Sequence, residues 1–152
     1  MASITEAIRP HERLGLDTSV FIYHIEAGTP FAGPAGEVLQ ALKRRSVSGV
    51  TSVLTLTELL VKPLQLGRRG LAARYEELVR ATPGLAVVDV DAWIARRAAA
   101  LRATSRIRTA DAIQVAASIE HGATAFVTND SRLRQIREIS VMILSDHVDE
   151  QS

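Results

Sequence analysis

The sequence predicts an α/β fold, with a short, mainly parallel sheet flanked by helices in a three-layer sandwich. Three observations predict it. Apolar runs of strand length, such as Leu85-Ala86-Val87-Val88, alternate with segments of helical periodicity, the pattern of repeated βα units. Several runs end at a polar or acidic residue suited to capping the next helix, as in Leu16-Asp17-Thr18-Ser19. The length, 152 residues, fits one domain large enough to bury a core.

In chain order, residues 13–17 read as a short buried strand, and Thr18-Ser19 open a helix to about residue 25. Residues 28–34, with two Gly and two Pro, read as a loop. Residues 37–45 read as a helix with cations in its last turn, where the macrodipole favours them. A strand is expected over 47–51. Ser52 then caps a helix over 53–61 that Pro63 interrupts. A helix over 69–80 ends at Thr82-Pro83-Gly84, and 85–90, rich in Val, is a strand. Asp91 caps a helix over 92–104; Thr109 caps another over 110–121, which Gly122 stops. Residues 125–128 form a strand, Ser131 starts a short helix to about 137, and 141–144 form the last strand. The domain is expected over 13–146. Residues 1–12 are expected to be a tail that orders only in an assembly, and 147–152 a C-terminal tail.

Composition excludes several classes of function. Apolar runs fall well short of the roughly 20 residues needed to cross a bilayer. Residues 1–10 contain Glu6 and Arg9 and no apolar signal core, so the sequence reads as cytoplasmic, without a membrane partner. Cysteine is absent and the four histidines are scattered, which leaves neither a disulfide frame nor a thiolate or paired-imidazole zinc site. A metal held by this chain would be a hard cation on carboxylate oxygens, Mg²⁺ or Mn²⁺. Net charge is only +1, but 16 of the 18 basic residues are Arg, the better fork for phosphate oxygens. A GC-rich genome with a preference for Arg codons is the plainer explanation of that bias.

Four acids carry the chemical signal. Asp17, Glu58, Asp111 and Asp130 stand where apolar segments end or helices begin, and in a parallel sheet those positions share one edge. Two charges about 4 Å apart repel by roughly 4 kcal/mol at an effective dielectric near 20, so four together need a cation or protons. Each has a plainer reading. Asp17 is well placed to cap a helix, although Thr18 and Ser19 also offer hydroxyls; Glu58 has Lys62 one turn on for a surface pair. Asp111 complements its helix dipole, yet that helix is apolar almost all round, with Asp111, Gln114 and Ser118 as its polar stripe. Asp130 fits an ordinary turn. Their joint placement carries the weight.

Read together, Asp17-Thr18-Ser19-Val20-Phe21 after a strand, Thr57-Glu58-Leu59 on an early helix, Asp111-Ala112-Ile113-Gln114 on a late one and Thr128-Asn129-Asp130 after a strand resemble the PIN-domain family. Within it the chain is most similar to the short VapC-type toxins of toxin–antitoxin pairs, over residues 13–144. The resemblance implies a magnesium-dependent endoribonuclease, with Asp17, Glu58, Asp111 and Asp130 as catalytic and metal-binding acids. It places Ser19 beside the metal and Thr128 in the site's hydrogen bonding, with Asn129 the alternative to Asp130 for the fourth position. Arg106 and Arg108, just before Asp111, are candidate contacts for RNA phosphate, or simply an exposed basic turn. The partners implied are an RNA substrate, tRNA or rRNA, a small cognate antitoxin and a second copy in a homodimer. Surplus apolar residues between 53 and 82 are the sequence's own hint of an interface.

A phosphotransferase using Asp17 as nucleophile resembles the haloacid-dehalogenase type, but Ser19 stands where that type has a second Asp. A non-toxic RNA-processing nuclease and a catalytically inactive binding module both fit the fold; retention of all four acids argues against the second.

Overall fold

The computed structural model describes residues 3–148. Its five strands, β1 (Arg13–Leu16), β2 (Ser48–Ser52), β3 (Leu85–Val88), β4 (Ala125–Thr128) and β5 (Ser140–Ile143), form one sheet in the order β3-β2-β1-β4-β5. Every neighbouring pair is parallel. The expected mainly parallel sheet is thus wholly parallel among the described residues. The chain builds one half of the sheet outward from β1 and then returns to build the other from β4. β1 and β4 therefore flank the point where strand order reverses, the crevice at which such sheets bind ligands.

Alternation along the strands divides the core in two. Leu14, Leu16, Ala125 and Val127 pack on one face with α2 (Thr18–Ile25) and α3 (Ala32–Lys43). Val50 and Phe126 pack on the other with α6 (Ala92–Thr104) and α7 (Thr109–Glu120). Helices α4 (Leu54–Gln65) and α5 (Arg69–Arg80) form a hairpin beside β2 and β3. The result is the expected three layers.

Gly15 sets the height of α7 over the sheet. A Cβ there would stand 2.0 Å from Ser118 Oγ and 2.9 Å from Phe126 Cδ1, so only glycine lets the buried helix approach this closely. That approach brings the head of α7, with Asp111, to the end of β1.

The structure corrects the sequence reading in several places. Residues 4–8, assigned above to a tail, form α1 (Ile4–Ile8), capped by Ser3 and held by the burial of Ile4 and Ile8 in the α2–α3 core. An i, i+4 apolar pair is too short a signal to stand out in sequence. Residues 149–152 of the expected C-terminal tail lie outside the described residues. Helix α3 starts at Ala32, because Gly33 and Pro34 occupy its first turn, where a missing N–H removes no helix bond. Pro63 lies inside α4 rather than ending it: buried in the last turn, it removes one bond while the helix runs on to Gln65. Thr109 is the first residue of α7, whose N-cap is Arg108 with no side-chain bond. Asp91 and Gly122 act as read: Asp91 accepts from Ile94 N at 3.0 Å, and Gly122 takes φ +83° past the end of α7.

Candidate active site

Asp17 leaves β1 and caps α2. Its Oδ1 accepts from Thr18 N at 2.9 Å and its Oδ2 from Thr128 Oγ1 at 2.6 Å, while its own N–H bonds Val127 O at 2.9 Å. It is therefore both a helix cap and a member of the acid cluster, and Thr18 and Ser19 do not take the capping role. Burial pushes its carboxyl up from 3.8 to about 6; the bonds from Thr128 and Thr18 oppose the shift, and the nearby Asp111 and Glu58 add to it.

Glu58 reaches the same place from α4, its Oε1 accepting from Thr18 Oγ1 at 2.9 Å. Its expected partner Lys62 turns instead to Glu26, at 3.2 Å. Asp111, in the first turn of α7, has its carboxyl raised above the usual range, first by burial and then by Asp130 and Glu58, with Arg132 and Arg108 pulling the other way. Asp130 follows β4 and opens the 3-10 turn Ser131–Gln135. Arg132 holds its carboxyl below the usual range, with Nε on Oδ1 at 2.9 Å and Nη2 on Oδ2. The fold thus collects the four acids at the C-terminal edge of the sheet, each within the electrostatic reach of another.

Of the remaining residues singled out in the sequence, Thr128 is at the centre. Its hydroxyl donates to Asp17 and accepts from Asp130 N at 3.1 Å. Asn129 turns away: its side chain donates to Tyr23 Oη at 3.3 Å and accepts from Ser145 N at 2.9 Å. Arg108 acts electrostatically on Asp111 and Asp130, whereas Arg106 is tied through its backbone to Gln135.

Sequence reasoning missed the buried polar frame behind the acids. Gln114 Nε2 donates to Thr55 Oγ1 at 2.9 Å and Thr18 Oγ1 at 3.3 Å, and its Oε1 accepts from Ser52 Oγ at 2.7 Å. Thr51 adds a 2.7 Å bond with Thr55 and a 2.8 Å bond to Leu16 O. One amide thus links α7, α4, α2 and β2 in a closed network. The available signal was Gln114 itself, a large polar residue in an otherwise apolar helix. Arg132 was also missed, since a lone Arg after a turn looks like surface.

The donors suit a hard divalent cation. Among the described residues no three acids or histidines converge as a ready cage, and magnesium needs none, taking one or two carboxylates and keeping several waters. The hydroxyl of Ser19, in the first turn of α2 beside Asp17, is buried with no hydrogen-bond partner, a free oxygen of the right kind.

No curated protein matches the sequence. Among solved structures, the chain is similar to VapBC2 from Rickettsia felis bound to a DNA fragment from its promoter, with TM-score 0.68 and 16% identity over 86% of this chain and 98% of that one. It is also similar to a toxin–antitoxin complex from Klebsiella pneumoniae, with TM-score 0.62 and 21% identity over 87% of this chain and 97% of the other. At these identities the likeness is one of fold. The PIN domain profile matches residues 15–139, most of the chain and all four acids. The chain belongs to the PIN-domain family.

Proposed function

We propose that this chain is a metal-dependent endoribonuclease acting as the toxin of a toxin–antitoxin pair. The observation that carries the reading is the gathering of Asp17, Glu58, Asp111 and Asp130 at one sheet edge, with Asp17 and Asp111 both raised above the usual carboxylate range. Such a cluster is at odds with stability alone, and perturbed acids in a crevice mark chemistry. Family membership supports it, since PIN domains are generally nucleases.

Asp17, Glu58, Asp111 and Asp130 would hold Mg²⁺ or Mn²⁺, with Ser19 contributing an oxygen nearby. When bound, the cation supplies positive charge against the phosphodiester and acidifies a water. The protein's own groups do the rest. Thr18 N and Thr128 fix the Asp17 carboxylate by one bond to each oxygen, and the Thr18 hydroxyl fixes Glu58. Arg108 offers a fork to substrate phosphate at the rim. Water attack on phosphorus with departure of the 3′ oxygen leaves a 5′-phosphate and needs no covalent intermediate.

The antitoxin reading rests on the two similar solved structures and on an apolar surface. Val61, Leu64 and Leu66 are 45%, 53% and 63% exposed, and a groove of about 330 Å³ lined by Ile22, Leu59, Pro63, Leu71 and Tyr75 runs beside Glu58. A homodimer is proposed on the same surplus of apolar surface.

The test is cleavage of tRNA and rRNA by purified protein with Mg²⁺, with Mn²⁺ and with chelator, beside Asp111→Asn. Specific cuts bearing 5′-phosphates, dependent on both the metal and Asp111, are expected. Equal cutting by the variant, or by the chelated enzyme, overturns the assignment.

A further inference from the structure

Residues 92–110 carry five arginines, Arg96, Arg97, Arg102, Arg106 and Arg108, and no acid, in a chain whose net charge is +1. Among the described residues only Arg97 of the five is ion-paired, with Glu120 at 2.9 Å. That pair joins the middle of α6 to the end of α7, and the short turn between the helices makes them run antiparallel. Arg97 thus lies roughly 14 Å from Asp111 along the axis of α7, and Trp93, about one turn earlier on α6, roughly 6 Å further.

At that remote end stands Trp93, the only tryptophan in the chain and 69% exposed. The Arg96 guanidinium lies 5.3 Å from its ring centroid. At 3.6 residues per turn Trp93, Arg96, Ala100 and Thr104 form one stripe down α6, leading to the turn that holds Arg106 and Arg108. The other outward residues, Ala95, Ala99 and Ala103, are small. Outside the indole ring the face lacks the large apolar side chains that a protein interface centres on. An open aromatic face, neighbouring guanidinium groups and no opposing charge are the components of a single-stranded nucleic-acid site, where bases stack and phosphates are clamped.

We propose that α6 and the following turn form an RNA-binding track outside the acid cluster. Trp93 stacks on an unpaired base, Arg96 takes a backbone phosphate, and Arg106 and Arg108 lead the strand to Asp111. This rests on the ribonuclease reading above and specifies where the enzyme holds its substrate away from the scissile bond.

Because Trp93 is the sole indole, its emission reports the contact directly. In an Asp111→Asn background, bulk tRNA is expected to quench that emission. Trp93→Ala is expected to weaken tRNA binding about tenfold, within the range for loss of one stacked base. Arg96→Gln should lower the slope of log affinity against log salt by about one, whereas Arg80→Gln, on α5 and paired with Glu76, should leave it unchanged. With Asp111 intact, Trp93→Ala should raise KM for tRNA and leave cleavage of a dinucleotide, too short to reach the ring, at the wild-type rate. Unquenched emission with unchanged affinity overturns the track. So does a Trp93→Ala variant that dissociates a dimer yet binds tRNA normally, which would make this face a protein interface. If wild-type protein cuts no RNA, the ribonuclease reading itself fails, a result separable from either.

Discussion

Thr128 Oγ1 donates a 2.6 Å hydrogen bond to Asp17 Oδ2 while accepting one from the backbone of Asp130, so a single hydroxyl joins the acid after β1 to the acid after β4. The strands are neighbours, with Leu16 in register with Val127, and the link crosses the point where strand order reverses. Thr128→Val keeps the shape and removes both bonds. The Asp17 carboxyl loses a group that lowers its pKa and should titrate above its present value of about 6, as followed by carboxyl NMR. Urea unfolding should show a loss of about 1–3 kcal/mol, the usual penalty for unsatisfied buried polar groups. An unmoved titration counts against the link.

Asp17 also makes the metal-free fold sensitive to pH. Its folded value of about 6 lies above the 3.8 of the unfolded chain, so the folded state holds the proton more tightly. The stabilisation is complete below about 3.8 and is lost as pH rises through about 6. Two units correspond to roughly 3 kcal/mol. Melting of the metal-free protein should therefore fall between pH 4 and pH 6.5, and Asp17→Asn should flatten that curve. At neutral pH, Mg²⁺ should raise the Tm of wild type but not of Asp17→Asn. Parallel curves for the two proteins would refute the assignment.

Arg132 is the counter-ion that Asp130 uses without metal. Arg132→Gln should free the carboxylate and strengthen Mn²⁺ binding by a few-fold in calorimetry, with little change in stability because the pair is at the surface. Weaker Mn²⁺ binding would show that Arg132 organises the site rather than competing for it.

Gly15 and Ser118 make the closest strand–helix approach near the site, and Gly15→Ala would force α7 outward. A loss of several kcal/mol is expected, with Asp111 displaced from Asp17. Adding Ser118→Gly should recover part of the stability in thermal melts, since it removes the nearest atoms but leaves Phe126. No recovery would place the strain elsewhere.

What the sequence made legible was periodicity and punctuation. Helix α5 was read over 69–80 and strand β4 over 125–128 because apolar spacing and Gly or Pro stops mark their ends. The four acids could be placed on one edge because parallel topology gathers there the C-terminal ends of the strands and the starts of the helices that follow them. What stayed hidden depends on tertiary contact. Pro63 sits within a helix because packing outweighs one lost bond, and Ile4 with Ile8 hold a five-residue helix only against α2 and α3. Thr18, Thr51 and Thr55 look like ordinary surface or capping hydroxyls until Gln114 crosses from α7 to meet them. The bonds of Asn129 to Tyr23 and Ser145 likewise depend on side-chain direction, which adjacent polar residues do not reveal.

The order of strands also sets a timetable. β4 occupies an inner position beside β1, yet it and Asp130 follow β1, β2 and β3 in the chain. While the ribosome is still extending the chain, the first three acids exist without the strand that aligns Asp17 or the fourth carboxylate that completes the group. Docking of β4 is thus the event that aligns Asp17 and brings Asp130 beside it, which ties completion of the sheet to completion of the acid cluster.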